Sequence, residues 1–324
     1  MPSDTLPNPP AKLNVLMFSG GSGTHSITQA LAKHPQISLR ILINAYDDGH
    51  STGRLRRFIP SMLGPSDVRK NLSRLMPTAE RGQRALKTLS DFRLPVGIST
   101  PDALAIIEAI TSGKDHQLPA PLSSLLGQLN LTQSRQLVGF LNAFTVYFHD
   151  CAARNHHFDF TDCALGNIFF AGCYLENQQD FNRTIASFSV FHEVDPNILL
   201  NVTQGENLFL VAEKDDDSIL RNEADIVAAQ STDAKISKLY LLGSSVYHPQ
   251  VESATSIPSG GWPAFLAQHH IRPESNPTAI DAITQADVII YGPGTQHSSL
   301  LPSYLTNGIG EAVAANQKAD KIFV

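Results

Sequence analysis

A short apolar run that breaks directly into glycines restricts the fold of this chain more than any other feature. Residues 13–18 read LNVLMF, and SGGSGTHS follows at 19–26. The helix-forming stretch SITQALAKH comes next, then a second apolar run, LRILINA, at 39–45. A brief apolar run bounded by turn residues is the signature of a strand buried on both faces. Strand, helix and strand in that order predict a βαβ unit and hence a parallel sheet. The fold class expected is α/β: a doubly wound, mostly parallel, Rossmann-like sheet with a helical insertion.

The pattern changes after about residue 75. TPDALAIIEAI reads as a helix with Thr100 as cap, Pro101 at its first position and Leu104, Ile107 and Ile110 on one face. SRQLVGFLNAFTVYFHD places Leu137, Phe140, Leu141, Phe144 and Phe148 on a helical stripe, which is core rather than a cofactor box. HQLPAPLSS connects the two. Beyond 160, LGNIFFAGCYLE fits strand or helix, since periodicity does not separate them. NLFLVAEKDDDSILRNEADI predicts two strands joined at KDDDS, where Asp215, Asp216 and Asp217 form a solvated turn rather than a metal site. KLYLLG and DVII are strands, PTAIDAITQA is a helix, SYLTNGIGEAVAANQ is partly helical, and KIFV is a last strand. That strand reaches residue 324, which leaves open a further C-terminal segment. The organisation expected is an N-terminal part of a nucleotide-binding core at 13–75, a helical insertion or subdomain at 76–159, and the rest of the core at 160–324.

Composition excludes some classes. Hydrophobic residues make up 42% and charged residues 17%, which suits a folded core and not a disordered tract. The formal charge of -6 argues against a nucleic-acid partner, which asks for a basic face. MPSDTLPNPPAK has no basic segment leading into an apolar one, and no apolar run reaches ~18 residues, so neither a signal peptide nor a membrane span is expected. The expected location is cytoplasmic. Cys151, Cys163 and Cys173 match no metal or redox spacing. With His149, His156 and His157 nearby they read as reduced thiols beside a loop, and a Cys/His metal site is the weaker alternative. A homodimer is expected only because two-fold symmetry is common.

The glycine turn carries the first site. Gly20, Gly21 and Gly23 permit a tight turn and close ligand approach, while the amides of the helix start and its dipole favour an anion. Ser22 and Thr24 add hydroxyls, making a phosphate cradle. It is neither a Walker loop, lacking Gly-Lys-Ser/Thr, nor GxGxxG. A plain structural turn is the alternative. A second turn, YGPGTQHSS at 291–299, also follows an apolar strand and offers Gly292, Gly294, Thr295, Ser298 and Ser299 around Pro293. Two such turns at the C-terminal ends of parallel strands can share one crevice, where doubly wound sheets hold ligands.

AYDDGHSTGRLRR follows the second strand. Asp47 and Asp48 there can hold a divalent cation, accept a hydroxyl or act as a base. Arg54, Arg56 and Arg57 can neutralise phosphate. GPSDVRKN repeats the chemistry with Asp67, Arg69 and Asn71. A capped turn and a solvated basic face are the alternatives.

Taken together, SGGSGT, AYDDGHSTGRLR and GPSDVRKNL resemble the start of the 2-phospho-L-lactate transferase and gluconeogenesis-factor family. DCALGNIFFAGCYLE resembles its central motif, and ADVIIYGPGTQHSSLLPSYLTNGIGEAV its late glycine-proline-glycine motif. The match covers about 13–75 and 160–324. One branch of that family transfers a 2-phospholactyl group from a lactyl diphosphoguanosine donor to a deazaflavin precursor, with magnesium. The other binds UDP-sugars and is linked to carbon metabolism and cell shape. The DDGHSTGRLR and PSDVRKN segments look more like the second. His50, THS and TQHSS depart from that branch and bear on ligand identity more than on fold. The resemblance implies phosphate contacts from Gly21, Ser22, Gly23 and Thr24, and an acceptor-side or magnesium role for Asp47, with Asp48. It implies a nucleotide-holding role for Asn167, and diphosphate contacts from Gly294, Thr295 and Ser298.

Two functions follow as expectations. The first is a nucleotide-diphosphate or nucleotide-sugar binding protein, regulatory in carbon or cell-envelope metabolism. The second is a magnesium-dependent transferase of the 2-phospho-L-lactate type acting on a lactyl diphosphonucleoside, with Asp47 or Asp48 catalytic. No nicotinamide or flavin is expected, because the glycine turn has the wrong length.

Overall fold

The computed structural model describes residues 12–20, 23–229, 234–244 and 261–324. In chain order the elements are β1 (Leu13–Phe18), α1 (His25–Lys33), β2 (Ile37–Ile43), α2 (His50–Phe58), α3 (Pro65–Leu75), α4 (Arg81–Asp91), α5 (Thr100–Thr111), α6 (Ala120–Leu126), α7 (Leu131–Ala152), α8 (Leu165–Glu176), α9 (Phe181–Phe191), β3 (Leu199–Asn201), β4 (Phe209–Lys214), β5 (Ile219–Leu220), α10 (Glu223–Ala228), β6 (Ile236–Leu242), α11 (Gly261–His269), α12 (Pro277–Gln285), β7 (Val288–Tyr291), α13 (Leu301–Tyr304), α14 (Ile309–Ala315) and β8 (Asp320–Phe323).

β3, β2, β1, β7 and β8 form a five-stranded sheet in that order, and every pair in it is parallel. Successive side chains of a strand point to opposite faces, and here both faces are covered. Val15, Met17, Ile41 and Ile43 enter the larger core beneath the long helices. Leu16, Phe18, Leu42 and Leu200 enter a second core with Ile283, Ile309 and Val313 of α12 and α14. This is the doubly wound α/β arrangement expected from the apolar runs. Phe18 pairs with both Leu42 and Tyr291, so β1, β2 and β7 end at one level and their following loops converge.

Several local expectations change. Ser99, not Thr100, caps α5, its side chain accepting from the Asp102 amide, and Pro101 is the second helical residue. LGNIFFAGCYLE is helix α8, so the helical stretch runs on through α9 rather than giving way to strands at 160. It fits a helix because α8 is buried nearly all round: a Cβ on Gly172 would lie 1.8 Å from the Phe140 carbonyl oxygen, so only glycine lets α7 and α8 approach this closely. The β4–β5 hairpin forms as expected, but NEAD leaves the second strand after two residues and turns into α10 under an Asn222 cap. With β6 these strands make a separate antiparallel sheet, β5-β4-β6. The three cysteines are buried free thiols. No group of three His, Cys, Asp or Glu side chains among the described residues is placed to hold a metal. No helix among them is long and apolar enough to cross a membrane.

Candidate functional site

The two glycine turns meet. An added Cβ at Gly23 would fall 2.4 Å from the Pro293 carbonyl oxygen, and one at Gly20 would fall 2.5 Å from the Ser299 Cβ. One at Gly292 would fall 2.6 Å from the Thr24 Cγ2. Glycine is therefore required on both sides for steric reasons. Side chains then lock the pair. Asn44, at the end of β2, donates to the carbonyls of Ser299 (2.8 Å) and Ser298 (3.3 Å). Asn71 of α3 donates to the Gly20 carbonyl at 3.1 Å, and the Ser19 and Thr24 hydroxyls bond each other at 2.7 Å.

Between these turns and α10 lies a cleft of about 570 Å³. Gly20, Gly23, Gly294, Thr295 and Ser298 of the turns line it, together with the charged groups Asp47, Asp67, Lys70 and Glu223. The cleft stands at the carboxyl ends of β1, β2 and β7, the position at which open α/β sheets hold ligands. Gly21 and Ser22 lie outside the described residues.

Burial holds two acids of the cleft, Asp67 and Glu223, above the usual carboxylate range. Burial raises the Asp67 carboxyl to about 6, Asp47 adds to the rise, and Lys70, Arg74 and Arg69 oppose it. The Lys70 ammonium is 3.8 Å from Asp67. Burial raises Glu223 to about 7, helped by Asp47 and Asp67 and opposed by a hydrogen bond with Ser298 and by Lys70. Burial in a poorly hydrated cleft produces most of this effect, and the neighbouring carboxylates add to it. Perturbed carboxyls in a cleft mark a functional site more often than a chance surface.

Other expected residues lie around the cleft rather than on it. Asp48 turns away from Asp47, toward Arg57 (3.7 Å) and Arg56 (3.9 Å), and burial raises its carboxyl while those arginines lower it. Arg56 is fully buried. Its guanidinium bonds the Tyr46, Asp47 and Leu208 carbonyls and Asn207, and stacks 4.4 Å over Phe209. It thus joins the acid-bearing loop to the antiparallel sheet. Arg54 bonds the carbonyls of Asp159 and Thr161. Arg69 is buried and donates to Asn167 at 3.0 Å and to Asp91, while Asn167 donates to Ser66 at 3.4 Å. Arg69 and Asn167 thus brace α3 against α4 and α8, behind Asp67.

Three contributors escaped the sequence reading. Lys70 was visible only as the i+3 neighbour of Asp67 on α3. Asn44 sat inside an apolar run read simply as strand. Glu223 carried no signal, because it reaches the cleft from the antiparallel sheet's side, far away along the chain.

Comparison with known proteins places these features in context. The family described as "2-phospho-L-lactate transferase CofD" matches residues 15–324. A gluconeogenesis factor of Halalkalibacterium halodurans is 24% identical over 97% of this chain and 66% of its own length. A putative gluconeogenesis factor of Aquifex aeolicus is 26% identical over 73% of this chain and 62% of its own. The chain thus spans about two thirds of the length of these relatives. A crystal structure of a Bacillus halodurans member of the upf0052 family superposes with a TM-score of 0.60 at 22% identity, covering 96% of this chain and 68% of that one, which shows a shared fold.

Proposed function

Because this chain belongs to the 2-phospho-L-lactate transferase CofD family, we propose that it binds a nucleotide diphosphate, foremost a nucleotide-sugar, in the cleft between its two glycine turns. Its role on this reading is regulatory, in carbon or cell-envelope metabolism. The observation that carries the reading is the direct packing of Gly20 and Gly23 on the Pro293–Ser299 turn at the ends of β1 and β7, in a cleft shared with three carboxylates. Backbone amides and hydroxyls of the turns suit a diphosphate, and the acids suit ligand hydroxyls. The names of the relatives, gluconeogenesis factors, support this branch of the family.

Magnesium fits the donor set. Magnesium commonly takes one or two carboxylates and completes its shell with phosphate and water, and Asp47 and Asp67 would hold it. It would offset the charge of the carboxylates and of the diphosphate. Titration calorimetry and thermal shifts with UDP, UDP-N-acetylglucosamine, GDP and NAD, each with and without magnesium, test the reading. A ligand at a hundredfold excess over its Kd stabilises by about 2.7 kcal/mol. A response to the uridine ligands supports the proposal; silence toward all of them removes it.

A second reading, a magnesium-dependent transferase, is favoured by one observation. Glu223, outside the pair that would hold magnesium, is raised to about 7, close to the working point of a general base. Asp47→Asn separates the two. Nucleotide binding that persists with no turnover to lose supports the binding protein, whereas a turnover abolished by the substitution supports the transferase.

A further inference from the structure

One buried carboxamide joins the two parts of the cleft that would meet different parts of a ligand. Asn44 directly follows β2. Its Oδ1 accepts from the Tyr46 amide at 3.2 Å, and its Nδ2 donates to the Ser299 carbonyl at 2.8 Å and the Ser298 carbonyl at 3.3 Å. The Tyr46 bond fixes which way the amide faces, because only the oxygen can accept. Ala45, between the two residues, has a φ of 52°, a left-handed conformation that a residue with a Cβ holds only where its surroundings impose it. The Gly64 amide holds the Ala45 carbonyl at 2.8 Å. The bend turns the Tyr46 amide back onto Asn44.

The late glycine turn needs a donor from outside. Gln296–Leu300 is a single π-helical turn, in which the Leu301 amide reaches back to the Gln296 carbonyl. Such turns recur at functional sites. Pro302 stands four residues after Ser298 and has no N–H, so the Ser298 carbonyl lacks its ordinary helical donor. Asn44 supplies one. Thr295, Ser298 and Ser299 of this turn line the cleft, and so does Asp47, the residue after Tyr46. The Arg56 guanidinium holds the Tyr46 and Asp47 carbonyls from the other side. A shift of the late turn therefore pulls, through Asn44, on the backbone that carries Asp47.

We propose that Asn44 is a positioning residue that couples the diphosphate part of the cleft to its acidic part. A phosphate drawn onto the late turn sets the Ser298 and Ser299 carbonyls, Asn44 passes that placement to the Tyr46 amide, and Asp47 is set to meet magnesium. The inference rests on the nucleotide reading of the cleft. Coupling of this kind is reciprocal between the two ligands. A residue that only propped the fold would weaken each ligand separately and leave their mutual effect unchanged.

The test is titration calorimetry of the whole chain with UDP, in excess magnesium and in EDTA. Wild type is expected to bind UDP roughly tenfold or more tightly with magnesium than without. Asn44→Asp keeps the acceptor for the Tyr46 amide but turns an oxygen toward the two carbonyls, and Asn44→Ser shortens the side chain. In either variant the magnesium advantage is expected to fall below about threefold, while the affinity in EDTA stays within about threefold of wild type. A further measurement needs no variant: hydrogen exchange in peptides covering Tyr46 and Asp47 should slow when UDP binds wild type in EDTA. An advantage kept in a folded variant overturns the proposal, as does an equal loss of affinity in both conditions, or exchange at Tyr46 and Asp47 that UDP leaves unchanged. UDP binding to wild type with no gain from magnesium removes this inference alone. No UDP binding in either condition removes the nucleotide reading and this inference with it.

Discussion

The Pro293 carbonyl oxygen stands 2.4 Å from the position that a Cβ on Gly23 would take. Two turns separated by about 270 residues therefore depend on each other for their shape, and neither forms the cleft alone. Gly23→Ala must push the Pro293 backbone away. The expected destabilisation is about 1–3 kcal/mol, as for other overpacked sites, read from urea unfolding. Any nucleotide-induced Tm shift should be lost even where the variant remains folded.

Glu223→Gln should change stability in a pH-dependent direction. Burial raises the folded carboxyl from its ordinary value of 4.5 to about 7. Its contribution is therefore fully present below about 4.5 and lost as pH rises through 7. Wild type and variant should differ little at pH 4.5, and the variant should be the more stable at pH 8, by about 2 kcal/mol. Urea midpoints at the two pH values decide it; a variant less stable at pH 8 contradicts the placement of Glu223.

His192 works the opposite way. It is fully buried, bonded to the Phe188 carbonyl at 2.8 Å and to Ser90 at 3.2 Å, and burial lowers it to about 4. The unfolded chain binds the proton first as pH falls, so stability is lost between about 6.5 and 4. The expected loss is roughly 3 kcal/mol. Denaturation of His192→Gln across that range should show a flatter pH profile than wild type, whatever the offset between the two.

Arg69→Met should cost about 3 kcal/mol, because it strands the buried Asn167 oxygen and removes the charged partner of Asp91, which keeps only its bond from Ser73. Arg69→Lys should recover little, since an ammonium cannot span Asn167, Ser90 and Asp91 together. Unfolding midpoints of both variants check this. Full stability in the lysine variant would show that charge alone matters at this position.

Much of the sheet was legible in the sequence. LNVLMF, LRILINA and DVII are apolar at every position that two covered faces require, and such runs have few other homes. The glycine turns were legible because only glycine permits close backbone contact. α8 was not, since an element buried all round has lost the alternation that separates strand from helix. NEADI misled because β5 is only two residues long and the Asn222 cap outweighs the hairpin pattern.

By itself, then, the sequence determined which segments lie inside, where the backbone turns tightly, and that two glycine turns end two parallel strands. Tertiary structure alone decided which charged groups face the cleft. Asp47 points in and Asp48 out because Arg56 and Arg57 draw the second acid away. Arg69 became a brace and Glu223 a cleft residue because packing partners distant in sequence set their surroundings. Backbone preference is local and is written in neighbouring residues, whereas the charge state and direction of a side chain depend on everything that folding brings beside it.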